Sequence, residues 1–80
     1  MTYILNRAGK PEENFNWLEA FETFLQRKDL TTHWVCTQVR GNYWEASTTF
    51  AGRTFTGTGS SEQRAMINAV IKIERAAILS

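Results

Sequence analysis

One cysteine, one proline and one histidine stand among 80 residues, and each scarcity closes off a class of protein. Cys36 alone cannot make an intramolecular disulfide, which excludes a stapled secreted scaffold, and a lone thiol suits a reducing compartment. His33 and Cys36 lack the second pair of ligands that a zinc site requires, so no metal is expected. No apolar run approaches the roughly 20 residues of a membrane span, and no charged-then-apolar leader opens the chain. The expectation is a cytoplasmic or nuclear domain that makes no membrane contact. Charge of one sign is not in excess either, since nine Lys and Arg residues face eight Asp and Glu, for a formal net charge of +1. A dedicated nucleic-acid binder usually clusters a basic surplus. Here Arg7, Lys10, Arg27, Lys28, Arg40, Arg53, Arg64, Lys72 and Arg75 are scattered.

What is present is enough for one small domain. Residues 1–13 read as a lead-in, with Tyr3-Ile4-Leu5 as an apolar patch and Gly9-Lys10-Pro11 as a break; residues 14–80 carry the domain. Asn16 followed by Glu19 has the spacing of a capping box. Trp17, Leu18, Phe21, Phe24 and Leu25 then recur at helical steps, and Arg27 and Lys28 suit the last turn of that helix. From Thr31 the period shortens to two. Trp34, Cys36 and Gln38 alternate with Val35, Thr37 and Val39, which predicts a strand. Arg40-Gly41-Asn42 turns into a second strand over Tyr43 to Phe50. Ala51-Gly52-Arg53 turns again into a short third strand, Thr54 to Thr56, ended by Gly57-Thr58-Gly59. A last helix opens at Ser60 or Ser61, Ser60 with Gln63 having capping-box spacing. Ala65, Met66, Ala69, Val70, Ile73, Ala76 and Ala77 form its apolar face. The order predicts a two-layer α+β domain, α-β-β-β-α, with both helices on one face of a three-stranded antiparallel sheet.

The segment Gly52 to Val70, GRTFTGTGSSEQRAMINAV, resembles the double-stranded-RNA-binding domain (dsRBD) family, in which a strand leads through G-x-G-x-S-K-K-x-A-K-x-x-A-A into the last helix. Gly57, Gly59, Ser61, Ala65 and Ala69 fall in register, with Val70 at the second alanine of the closing pair. Phe50, Gly52 and Phe55 match the turn between the second and third strands. Trp44 stands where the family usually has Phe, and residues 25–30 are similar to its first-helix ending. The likeness covers residues 16–79. It implies a parent protein in RNA processing, silencing or translation, and an RNA surface of three regions: the first helix, the first strand turn and lysines opening the last helix. On this chain those regions correspond to Thr23, Gln26 and Arg27, to Arg40 and Asn42, and to Glu62, Gln63 and Met66. Each departs from the family pattern. Glu62, Gln63 and Met66 replace the three lysines and release no phosphate counterions. The turn lacks the family's Gly-Pro-x-His loop, and Thr23 stands where a glutamate is common.

The remaining chemistry is thin. Gly57-Thr58-Gly59-Ser60-Ser61 precedes a helix but lacks the lysine and length of a phosphate-binding P-loop. Glu12, Glu13, Glu19 and Glu22 read as solvated charges. Trp17, Trp34, Tyr43 and Trp44 read as packing residues before base-stacking platforms. Neither a catalytic constellation nor a cofactor or small-molecule substrate is expected. On an ideal helix, Ile67, Ile71 and Ile78 stand nearly opposite the core side, flanked by Arg64 and Arg75. Either the Tyr3-Ile4-Leu5 segment folds over them, or they form a stripe for a partner or a second copy. The expectation is a non-catalytic module acting mainly in protein interaction or self-association. The alternative is shape-specific binding of double-stranded RNA at reduced affinity.

Overall fold

The computed structural model describes residues 4–6, 9, 11, 15–76 and 79. Tyr3, Arg7, Lys10, Glu12, Glu13, Ala77 and Ile78 lie outside the described residues. The order of elements is α1 (Trp17–Arg27), β1 (Trp34–Arg40), β2 (Tyr43–Phe50), β3 (Arg53–Gly59) and α2 (Glu62–Arg75). The strands form one antiparallel sheet in the order β1-β2-β3, with helices packed against it, so the chain is an α+β domain of the expected order. Asn16 caps α1 by accepting from the Glu19 amide at 3.1 Å, while its own side-chain amide donates to the Glu19 carboxylate at 3.0 Å. Both halves of that exchange follow from an Asn three residues before a Glu.

Alternation sorts the sheet into two faces. The register stacks Trp34, Thr48 and Phe55 in one inner row, Cys36, Ala46 and Gly57 in the next, and Gln38, Trp44 and Gly59 in a third. The middle row is made of small residues, and α2 lies on it. Ala46, Ala65 and Ala69 are fully buried. A Cβ on Gly57 would meet the carbonyl oxygen of Ala65 and the amide nitrogen of Ala69, and would stand 2.9 Å from the carbonyl carbon of Asn68. The helix backbone therefore rests directly on the strand. This corrects the expected end of β3. Gly57-Thr58-Gly59 continues the strand, because its glycines are not turn residues but spaces for the helix.

On its other flank α2 meets α1. Trp17, Phe21, Phe24 and Leu25 of α1 share one core with Phe55, Val70, Ile73, Leu79 and Leu5. Phe21 and Phe24 also reach the sheet at the ring of Phe50, with centroids 5.8 and 6.2 Å apart. The second strand turn, Ala51-Gly52, has positive φ at both positions, +54° and +74°. That is the pattern of the hairpin turn whose twist matches the flanking strands.

Two outcomes follow. Gly57→Ala forces α2 off the sheet, and overpacking of this kind costs about 1–3 kcal/mol; thermal denaturation by circular dichroism should show a melting temperature lower by roughly 4–8 °C per kcal/mol. Ala51→Asn should raise it, because Asn tolerates the left-handed conformation that costs other L-residues about 1–2 kcal/mol. The expected gain is up to about 1 kcal/mol, and an unchanged or lower midpoint would show that Ala51 is not strained.

Candidate functional site: the sheet ends and the open edge

The register brings two of the three sequence-derived regions to one end of the molecule. Gln38, Trp44 and Gly59 form the last inner row, so the Gly41-Asn42 turn and the start of α2 lie at the same end of the sheet. Arg40, Asn42, Glu62 and Gln63 are all exposed there, and Met66 is half-buried. Ser61, not Ser60, caps α2, accepting from the Arg64 amide at 3.1 Å. Thr23, Gln26 and Arg27 are exposed on α1, but their neighbour Phe24 packs on Phe50 beside the other turn. A strand of 8 residues separates the two turns, roughly 26 Å at 3.3 Å per residue. The structure thus sets the α1 group apart from the other two.

Glu62 also bears on the one cysteine. It interacts with Cys36 on the inner face of β1, and the thiol pKa is pushed up from its ordinary value, first by burial, then by the nearby carboxylate charge and by the hydrogen bond between them. A thiol held protonated is a poor nucleophile. His33 is exposed ahead of β1, and its carbonyl oxygen accepts from the Thr48 hydroxyl at 2.9 Å. Among the described residues no group of three or more His, Cys, Asp or Glu side chains is placed to hold a metal, and no helix is long and apolar enough to cross a membrane. A cleft beside the second turn is lined by Phe24, Leu30, Phe50 and Ala51 and by Thr31, Thr32 and Thr49; its side-chain polar groups are hydroxyls, without an acid or base among the lining residues to activate them.

The proposed stripe on α2 sits differently from its place on an ideal wheel. Ile67 and Ile71 are half-buried and pack against the core cluster. A helix that touches a sheet on one flank and a helix on the other buries a wider arc than one contact surface requires. Leu5 joins the same core, and its amide donates to the Glu74 carboxylate, with the Asn6 amide 3.4 Å from the same oxygen. Leu5 and Asn6 therefore lie against the end of α2, although Ile4 stays exposed. Arg64 and Arg75 are exposed, and Ile78 lies outside the described residues.

The exposed apolar surface lies elsewhere. Val35 and Val39 of β1 and Tyr43 of β2 are 57%, 52% and 48% exposed, on the outer face of the sheet beside its β1 edge. The rest of that face is hydroxyl-rich, with Ser47 and Thr56 bonded at 2.9 Å and Thr49 and Thr54 at 3.5 Å. The two edges of the sheet are treated unequally. Along β3, Asn68 of α2 donates to the carbonyl of Thr58 at 2.5 Å, and Lys72 donates to that of Thr56 at 2.7 Å. Among the described residues no strand pairs with the outer edge of β1. Sequence reading missed Val35 and Val39, because β1 carries apolar residues on both faces and alternation alone does not say which face is covered.

No family model, no curated protein and no solved structure matches the chain. 

The Cys36–Glu62 contact can be checked directly. Thiol labelling of the folded chain at pH 8 should be slow, and Glu62→Gln should speed it by relieving the carboxylate that opposes the thiolate. Equal rates in the two proteins would mean that Glu62 does not act on Cys36.

Proposed function

We propose that this chain is a non-catalytic, dsRBD-like module that works mainly by binding a protein chain, with a weakened surface for duplex RNA. The observation that carries the reading is the apolar group Val35, Val39 and Tyr43, exposed beside an edge of β1 that no strand among the described residues pairs with. Exposed apolar surface next to an open strand is the ordinary substrate of strand addition. The electrostatics argue against tight RNA binding. At the end where the resembling family holds phosphates, the α2 positions carry the exposed Glu62 and Gln63, and an acidic residue repels a phosphate. The two-residue turn Gly41-Asn42 is too short to enter a second minor groove. By the same resemblance, the parent protein belongs to RNA processing, silencing or translation.

A second reading, duplex binding at reduced affinity, draws on Arg40 and Arg64, which remain exposed on the segments at that end. Titration of the chain with a duplex of about 20 base pairs at low and high salt separates the two. The expected result is weak binding with a shallow log–log salt slope. Glu62→Lys with Gln63→Lys should tighten binding and steepen the slope by roughly one to two, since each phosphate contact contributes about 0.7–0.9. Tight, steeply salt-dependent binding by the native chain would overturn the interaction reading in favour of RNA.

A further inference from the structure

We propose that the chain pairs with a second copy of itself, β1 against β1 in antiparallel fashion about a two-fold axis at Thr37. The inference rests on the reading of the domain as an interaction module and names its partner.

The backbone comes first. The carbonyls of Thr56 and Thr58 accept from α2 side chains, so they point away from β2. Alternation then turns Phe55 and Gly57 toward β2. Carried across the register to β1, the same alternation turns Val35 and Thr37 toward β2 and leaves the N–H and C=O groups of Trp34, Cys36 and Gln38 facing outward. These are the groups that a new strand would bond.

The side chains make β1 self-complementary. With the axis at Thr37, Val35 meets Val39 of the other copy, Thr37 meets Thr37, and Val39 meets Val35. Cys36 and Gln38 form the hydrogen-bonded pairs, each exchanging both N–H···O bonds. Arg40, the one charge on the strand, falls toward Trp34, so no like charges oppose each other. Thr–Thr pairs are favourable across strands, the facing valines bury apolar surface, and the two-fold axis makes the Val35–Val39 contact occur twice, as in any isologous interface. The outer-face valines of both copies then form one apolar band flanked by the two Tyr43 rings. The register shift between Gln38 and Arg40 falls at Val39, so the regular hydrogen-bonded centre of the pairing is Cys36 to Gln38, and the Val35–Val39 contacts are side-chain contacts at its two ends. A contact confined to one strand that is itself only seven residues long is small beside the roughly 1,200–2,000 Å² of a standard interface, so the dimer is reversible.

The test uses the position on the axis. Thr37 is exposed, so its substitution leaves the monomer core untouched. In a non-hydrogen-bonded pair the facing Cα atoms are only about 4.5 Å apart, and like charges there repel. Sedimentation equilibrium of the native chain over a wide concentration range should show the mass rising from 9.2 kDa toward twice that value. Thr37→Lys and Thr37→Glu should each stay monomeric with an unchanged circular dichroism spectrum, and mixing the two variants should restore the doubled mass. A native chain that stays monomeric at millimolar concentration overturns the proposal, leaving the interaction module to find a different partner. So does a Thr37→Lys protein that dimerises as the native chain does, or a dimer lost instead on replacing Ile67 and Ile71 with Gln. The RNA titration above fails or succeeds independently of these masses.

Discussion

Where Gly57 lies under Ala65 and Ala69, helix backbone and strand backbone touch with no side chain between them. Helices more often stand off a sheet by the thickness of a side-chain layer. Here the row Cys36, Ala46 and Gly57 removes that layer locally. The larger rows on either side, Trp34-Thr48-Phe55 and Gln38-Trp44-Gly59, flank the descending helix and fix its line. Once α2 is seated, the remaining packing follows. Val70 and Ile73 offer α1 its contact surface, Phe21 and Phe24 reach past to Phe50, and Leu5 and Leu79 close the cluster. Asn68 and Lys72 arrive beside β3 close enough to take its carbonyls. A bulkier residue at position 57 would disturb all of these at once.

Much of this was legible in the sequence where one physical rule acted alone. The Asn16–Glu19 cap, the period of α1, the two turns and the order of elements each depend on local chemistry, and the structure has them. Reading failed where two demands met at one residue. Gly57 and Gly59 look like a strand terminator because glycine usually marks a turn, yet here they answer to the helix that follows, Gly57 to Ala65 and Ala69 and Gly59 to Arg64. Ser60 and Ser61 both satisfy a capping pattern, and only the path of β3 selects Ser61. Ile67 and Ile71 seemed to oppose the core because a helical wheel assumes one buried side, whereas α2 has neighbours on two.

The candidate site was less legible than the fold, for a related reason. Positions borrowed from a resemblance can be numbered in a sequence, but their spacing in three dimensions cannot. The register gathers Arg40, Asn42, Glu62 and Gln63 at one end, while Thr23, Gln26 and Arg27 belong to the stretch of α1 that packs toward the other. Val35, Val39 and Tyr43 gave no separate signal, since a strand with apolar residues on both faces does not declare which face is wet. What the eye needs at β1 is the neighbour, and the neighbour is a tertiary fact.

The unequal sheet edges bear on assembly size. A sheet that can recruit strands on both sides grows by repetition, each addition exposing a fresh template, and the product is a fibre. With the β3 side occupied by an amide and an ammonium from the same chain's helix, growth by strand addition has a single direction. Two copies joined at their open sides leave no template behind, so the pairing terminates at the first step. In such a pair the polar side chains of Asn68 and Lys72 would act as a chain terminator and keep the stoichiometry finite.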